Sequence, residues 1–175
     1  IGGAISGIVN RFNQLAVDRS DFRQPVSLPT SSPTPQFNRY ENLIRQGYQK
    51  LGGASPELEA QIPIIAKQIA QNPYLYPTYA AIPYAETSLG KNLTFPGNYF
   101  NLGVTLKPYP LTGYGPDYIT ERTAFRLTTD PRYEIFRRNP TAQALQQAGY
   151  APVASNPHWL KNMLAAIAAF PKYEE

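Results

Sequence analysis

Glu86 stands in the string AIPYAETSLGKN, behind the apolar run AAIPYA and four residues before Gly90. The helical pattern that begins near Pro77 ends at that glycine, which places the acid in the last turn of a helix. The negative end of the helix dipole disfavours an ionised carboxylate there. Desolvation by the apolar run acts in the same direction, so the carboxyl is expected to titrate above its ordinary range. An acid that keeps its proton near neutral pH can protonate a leaving-group oxygen, the first requirement of glycosidic bond cleavage. The alternative is a solvent-facing glutamate that caps a turn or pairs with Lys91.

Glycoside hydrolysis commonly uses a second carboxylate, and Asp117, Glu121, Asp130 and Glu134 are the candidates. Glu121 is the first choice, because it follows a tyrosine-rich glycine turn and precedes an alternating run, as a residue of a lobe facing a cleft would. Its alternative is a solvated charge pairing with Arg122 or Arg126. A third route needs no second carboxylate, since a 2-acetamido oxygen of the substrate can act as the nucleophile. Tyr99, Tyr109, Tyr114 and Tyr118 crowd into the same glycine- and proline-rich stretch. Sugar rings stack on aromatic faces while phenols bond hydroxyls, so Tyr99 and Tyr114 are expected to line a polysaccharide groove.

Other chemistries are excluded by composition. The chain has no cysteine, which removes disulfides, thiolate metal sites and cysteine nucleophiles together. Its single histidine, His158, rules out paired histidine ligation and has no serine in a nucleophile-elbow setting to serve. Acidic residues do not cluster at metal-ligand spacings, and neither GxGxxG nor the P-loop pattern occurs, so no metal or cofactor is expected. A net charge of +4 suits a polyanionic neighbour such as a bacterial wall. It falls short of the dense basic clustering of a nucleic-acid binder.

The elements that must position these residues read as mostly helical. Ile5, Ile8, Val9, Phe12 and Leu15 form one apolar stripe over residues 4–16. That stripe is expected to dock on the body, with a docking partner or membrane anchor as the alternative for residues 1–16. The opening IGGAISGIV, starting at Ile1, reads as the trailing part of a longer apolar segment, so a processed or excised N-terminus is expected. QPVSLPTSSPTPQ, with four prolines, is a linker, and the main domain is placed at residues 37–175 with 1–36 as helix plus linker. A helix is predicted over Asn38–Leu51 and ended by Gly52-Gly53. A second is capped by Ser55 with Pro56 behind it, running to about Gln71 with a kink at Pro63. The Glu86 helix follows. From Asn92 to Asp130 the helical period is lost, and an irregular lobe with one small hairpin is expected. Helices return at Thr141–Ala148 and at Pro157–Phe170, the last capped by Asn156 and burying Trp159, Leu160, Met163, Leu164 and Ile167.

AETSLGK, followed after a short gap by NYFNLGV, resembles the glucosaminidase family of lysozyme-like peptidoglycan hydrolases. The ending ALQQAGYAPVASNPHWLKNMLAAIAAF is similar to that family's closing pattern of a helix, AGYA, a turn and a final amphipathic helix. The matches come in the family's order and cover roughly residues 56 to 170. The resemblance implies a lysozyme-like, mostly α domain with a small irregular or β-hairpin lobe. It implies a peptidoglycan glycosidase cutting β-1,4 bonds on the N-acetylglucosaminyl side, with Glu86 as general acid, acting on glycan strands outside the cell, in the envelope or on a phage virion. Asn101, with Phe100, falls on the family's cleft-floor segment, where Asn101 would orient the sugar or its acetamido group. Its replacement by alanine is then expected to slow turnover and spare the fold. Tyr150 falls on the tyrosine of AGYA. The chain departs from the family at Pro83, one turn before Glu86, and at the stretch VTLKPYPLTGYGPDYITERTAFRL, where the family has a strongly patterned hairpin. A lytic transglycosylase or muramidase on the same fold, and a non-catalytic wall-binding or virion-assembly protein, are the alternatives.

Overall fold

The structure, a computed structural model, describes residues 35–103, 111 and 113–174. The stripe over residues 4–16, the proline-rich stretch before Pro35 and Tyr109 lie outside them.

Helix α1 (Pro35–Lys50) buries Tyr40, Ile44, Gly47 and Tyr48, which recur at the three- and four-residue spacing of one helical face. The predicted boundary after residue 36 therefore cuts into α1, since Pro35 and Gln36 belong to its first turn. Gly47 is required by close approach: a Cβ there would lie 2.4 Å from the Phe170 ring. Ser55 caps α2 (Pro56–Glu59), its hydroxyl accepting from the Leu58 N–H at 3.2 Å. The helix does not continue to Gln71 with a kink. It breaks at Ala60-Gln61 and restarts as α3 (Ile62–Gln71), in which Pro63 occupies the first turn, where its missing N–H removes no helical bond.

A 3₁₀ turn at Pro73–Leu75 leads into α4 (Thr78–Thr87), which carries Glu86. Ala80, Ala81, Ile82 and Pro83 of α4 are buried, and the Tyr48 hydroxyl donates to the Ala80 carbonyl at 2.8 Å, fastening α1 to α4. α1 packs on α3, and α4 on the last helix, α8 (Trp159–Ala169). The core joins Ile44, Leu58, Ile65, Ile69, Leu75 and Met163, all closed to solvent. Each such aliphatic side chain contributes about 1.5–3 kcal/mol on burial.

The fold is mostly α, and no strand occurs among the described residues. The described part of the lobe between Ser88 and Gly115 is a run of turns, but the expected loss of helix through Asp130 is corrected. Residues Pro116–Thr129 form α5, with Pro116 at the first position and Ile119, Thr120, Thr123, Ala124 and Leu127 buried as one face. Its threonines read as strand-formers in isolation. In the helix the Thr123 hydroxyl donates back to the Ile119 carbonyl at 2.8 Å and that of Thr129 to the Phe125 carbonyl at 2.6 Å, while Thr120 donates to the Gln61 side chain at 2.7 Å.

A 3₁₀ turn at Pro131–Tyr133 and α6 (Glu134–Arg138) also stand where no helix is predicted. Thr141 then caps α7 (Ala142–Gln147). α8 begins two residues later than Pro157, because Pro157 and His158 form a turn and the Trp159 N–H bonds the Asn156 carbonyl. Within α8 the buried face is Trp159, Met163 and Ala166. Leu160 and Ile167 pack partly buried against the core beside them, as the predicted stripe requires, whereas Leu164 is exposed.

Candidate functional site

Glu86 occupies the last turn of α4, half-buried, with its carboxyl raised from an ordinary 4.5 to about 7. Burial is the largest cause, as the apolar run before it predicts. Two donors pull the other way. The Asn101 amide donates to the Glu86 carboxyl at 3.1 Å and to the Glu86 main-chain carbonyl at 2.8 Å. The second donor is the Trp159 indole N–H, which lowers the Glu86 pKa while standing outside good hydrogen-bond geometry, buried and without an aligned partner. Such an acid is poised near half-protonation at neutral pH, as proton donation followed by proton recovery requires.

The helix end that presents it is wound unusually. Ser88 and Leu89 both adopt left-handed φ, 50° and 58°, followed by Gly90 at 81°. Two successive left-handed residues other than glycine are strained, and such strain persists only where surrounding bonds over-determine it. Those bonds are present. The Leu89 N–H donates to the Pro83 carbonyl at 3.0 Å, and the Ser55 N–H to the Leu89 carbonyl at 2.9 Å. The buried Thr87 hydroxyl lies 2.9 Å from the Pro83 carbonyl and 3.0 Å from that of Tyr99, and it accepts the Gly90 N–H at 3.2 Å. Thr87 thus ties the helix end to the segment carrying Asn101. Gly90 sits where a Cβ would come within 2.4 Å of the Ser55 hydroxyl. Gly90→Ala is expected to lower stability by about 1–3 kcal/mol. The check is a denaturant midpoint that falls at unchanged slope.

Asn101 also has left-handed φ, 50°, a conformation asparagine tolerates better than most side chains. The segment around it is held from below: the Tyr150 hydroxyl donates to the Phe100 carbonyl at 2.9 Å, and the Phe100 ring stacks on Tyr79 with centroids 5.1 Å apart.

Several expected ligand contacts are corrected by this packing. Phe100 and Tyr99 are buried, at 0% and 2% exposure, so neither offers a face to a sugar. They are the floor on which Asn101 rests. Tyr150 is half-buried, its hydroxyl is spent inward, and burial and then the charge of Glu86 raise its pKa well above the phenol range. Tyr114, half-buried, stacks on Tyr118 at 4.5 Å in the separate small cluster with Leu111 and Ile119.

Among the described residues, no other carboxylate acts on the titration of Glu86. Glu121 lies on α5, not in an alternating run. Burial raises its pKa, with Lys67 lowering it and Asp117 raising it, and Glu86 takes no part. Asp117 accepts from the buried Gln61 amide at 2.7 Å. Asp130 caps the following 3₁₀ turn and pairs with the buried Arg126 at 3.6 Å. Glu134 is in an exposed pair with Arg138. His158 is exposed and makes no capping bond.

Thr87 and Trp159 are members of the site that the sequence does not single out. Thr87 borders the acid and could have been found by position. Nothing local shows that the Trp159 indole acts on Glu86, because that depends on how α8 docks on α4. Among the described residues no group of acidic residues or histidine could hold a metal. Compared with protein-family models, with curated proteins and with solved structures, the chain finds no significant match.

Proposed function

We propose that the chain is a lysozyme-like peptidoglycan glycosidase that cuts β-1,4 bonds of the glycan with Glu86 as general acid. The observation that carries this reading is a desolvated glutamate at a helix end, titrating near 7 and faced by the Asn101 amide and the Trp159 indole. The resemblance of AETSLGK, NYFNLGV and the AGYA ending supplies the substrate class, and a net charge of +4 suits an anionic wall. In this reading Glu86 protonates the departing glycosidic oxygen, and Asn101 steadies the carboxylate that results. Action on glycan strands places the chain outside the cell, in the envelope or on a virion, with residues 1–16 serving to dock it.

That no other described carboxylate acts on Glu86 favours capture of the sugar cation by a group of the substrate itself. The acetamido oxygen would give hydrolysis on the N-acetylglucosaminyl side. A sugar hydroxyl that surrenders its proton to Glu86 would give transglycosylation, the second reading. Digestion of purified cell walls followed by mass spectrometry of the fragments separates them: new reducing ends are expected for hydrolysis and 1,6-anhydro ends for transglycosylation. Absence of any fragment from every wall type tested would leave the fold as a wall-binding or assembly module.

A further inference from the structure

We propose that Trp159 is a positioning residue for Glu86: from the first turn of α8 its indole N–H faces the carboxyl alongside the Asn101 amide, and it stabilises the carboxylate left after proton transfer. The catalytic consequence rests on the reading of Glu86 as the acid, whereas the pairing itself does not.

Trp159 is 1% exposed, and its ring nitrogen is buried without an aligned partner. An indole has one donor and no acceptor, so only an acceptor can satisfy it. Burying that donor for packing alone would be unfavourable, and a phenylalanine would fill the same space without the penalty. The helix that carries it, α8, packs directly on α4. Of the buried acceptors at the site, Asn101 Oδ1 among them, the one on which the indole acts is the Glu86 carboxyl, where as a donor it favours the ionised form.

The ring is held in place by Tyr150, whose centroid lies 6.0 Å away at a 33° tilt. Tyr150 is in turn anchored to the Phe100 carbonyl, one residue before Asn101. One tyrosine therefore braces both donors that meet the acid. Burial and then the charge of Glu86 raise the Tyr150 pKa, with Tyr133 and Tyr79 adding to the rise and Arg126 opposing it. All three phenols are raised above the ordinary phenol range, so they stay neutral while Glu86 titrates.

A general acid must be protonated for the first step and must accept a proton readily for the second. Burial alone would leave Glu86 an adequate acid and a poor carboxylate. The indole N–H offsets part of that imbalance. It adds no charge, and the alignment is of the kind that tightens when the carboxyl ionises.

The chain contains one tryptophan, so its indole N–H resonance in a proton–nitrogen correlation spectrum assigns itself. Followed on the full chain across neutral pH, that resonance is expected to shift with a midpoint of about 7 and to stop shifting in Glu86→Gln. In Trp159→Phe the Glu86 carboxyl, read by carbon-13 glutamate labelling, is expected to titrate higher by about 0.5–1 pH unit. The alkaline limb of wall lysis should move with it. Should Trp159→Phe fail to fold, benzothienylalanine at position 159 replaces the N–H by sulfur at nearly constant ring shape and is read in the same way. An indole resonance that is flat across neutral pH, or that titrates identically in Glu86→Gln, overturns the proposal. So does an unchanged or lowered Glu86 midpoint without the N–H. A wild type that shows the coupled titration but digests no wall removes the proposed function and leaves the pairing standing.

Discussion

Glu86→Gln is expected to reduce wall lysis by about 10²–10⁴-fold and, at the same time, to stabilise the fold above neutral pH. The two effects have one origin. The amide keeps the shape of the side chain and its acceptor oxygen for Asn101 and Trp159, but it has no proton to give. In the wild type the folded carboxyl holds its proton up to about pH 7, while the unfolded one releases it from about 4.5. Between those values the folded state binds more protons than the unfolded state, so stability falls as pH rises and stays reduced above the folded pKa. At about 1.4 kcal/mol per pKa unit, the rise from 4.5 to about 7 takes about 3–4 kcal/mol from the fold once the group is ionised. The variant should therefore match the wild type near pH 4 and melt higher near pH 8. Thermal melts across that range, paired with lysis rates, provide the check. Retained lysis in Glu86→Gln would remove the acid from the mechanism, and equal melts at pH 8 would mean that the ionised carboxyl is not penalised.

Asn101→Ala is the second large effect, and the structure changes what is expected of it. As a residue on a cleft floor it should slow turnover and leave the fold intact. Its amide, however, bonds both the carboxyl and the main-chain carbonyl of Glu86, and its backbone is left-handed at φ 50°. Alanine loses both bonds and is strained in that conformation, at about 1–2 kcal/mol for the strain and about 1–3 kcal/mol for the orphaned carbonyl. The Glu86 pKa should also rise above about 7, because one of the donors lowering it is gone. Lysis per folded molecule is expected to fall by about 10-fold or more, with its alkaline limb moved upward. Asn101→Gly separates the causes, since glycine accepts positive φ and restores only the backbone share of the stability. If Asn101→Gly also restored lysis, the amide would have no part in the chemistry.

How much of this was legible beforehand depends on the range over which each cause acts. The Ser55 cap, the C-terminal end of α1, the Thr141 start of α7 and the raised pKa of Glu86 follow from the sequence, because capping and an apolar neighbour act within about one turn. Pro63 shows how local rules are ambiguous even there: a proline after an apparent helix start reads equally as a kink or as a new first turn, and the chain adopts the latter. α5 was hidden because threonine propensity favours a strand until its hydroxyl finds a main-chain carbonyl and its helix finds α3 to cover it.

The remaining decisions belonged to the tertiary structure alone. Whether Tyr99 and Phe100 face a sugar or form a floor depends on what lies beneath them, and Tyr79 and Tyr150 supply that from elsewhere in the chain. Whether Glu121 meets Glu86 depends on which face of α5 is turned inward, and Ile119, Thr123 and Leu127 hold that face. The Trp159 stripe is visible as hydrophobic periodicity, but periodicity records that a ring is buried and not which polar atom its nitrogen meets. That meeting is fixed only when α8 docks on α4, because packing between residues distant in sequence sets direction at the site, whereas sequence pattern sets only burial.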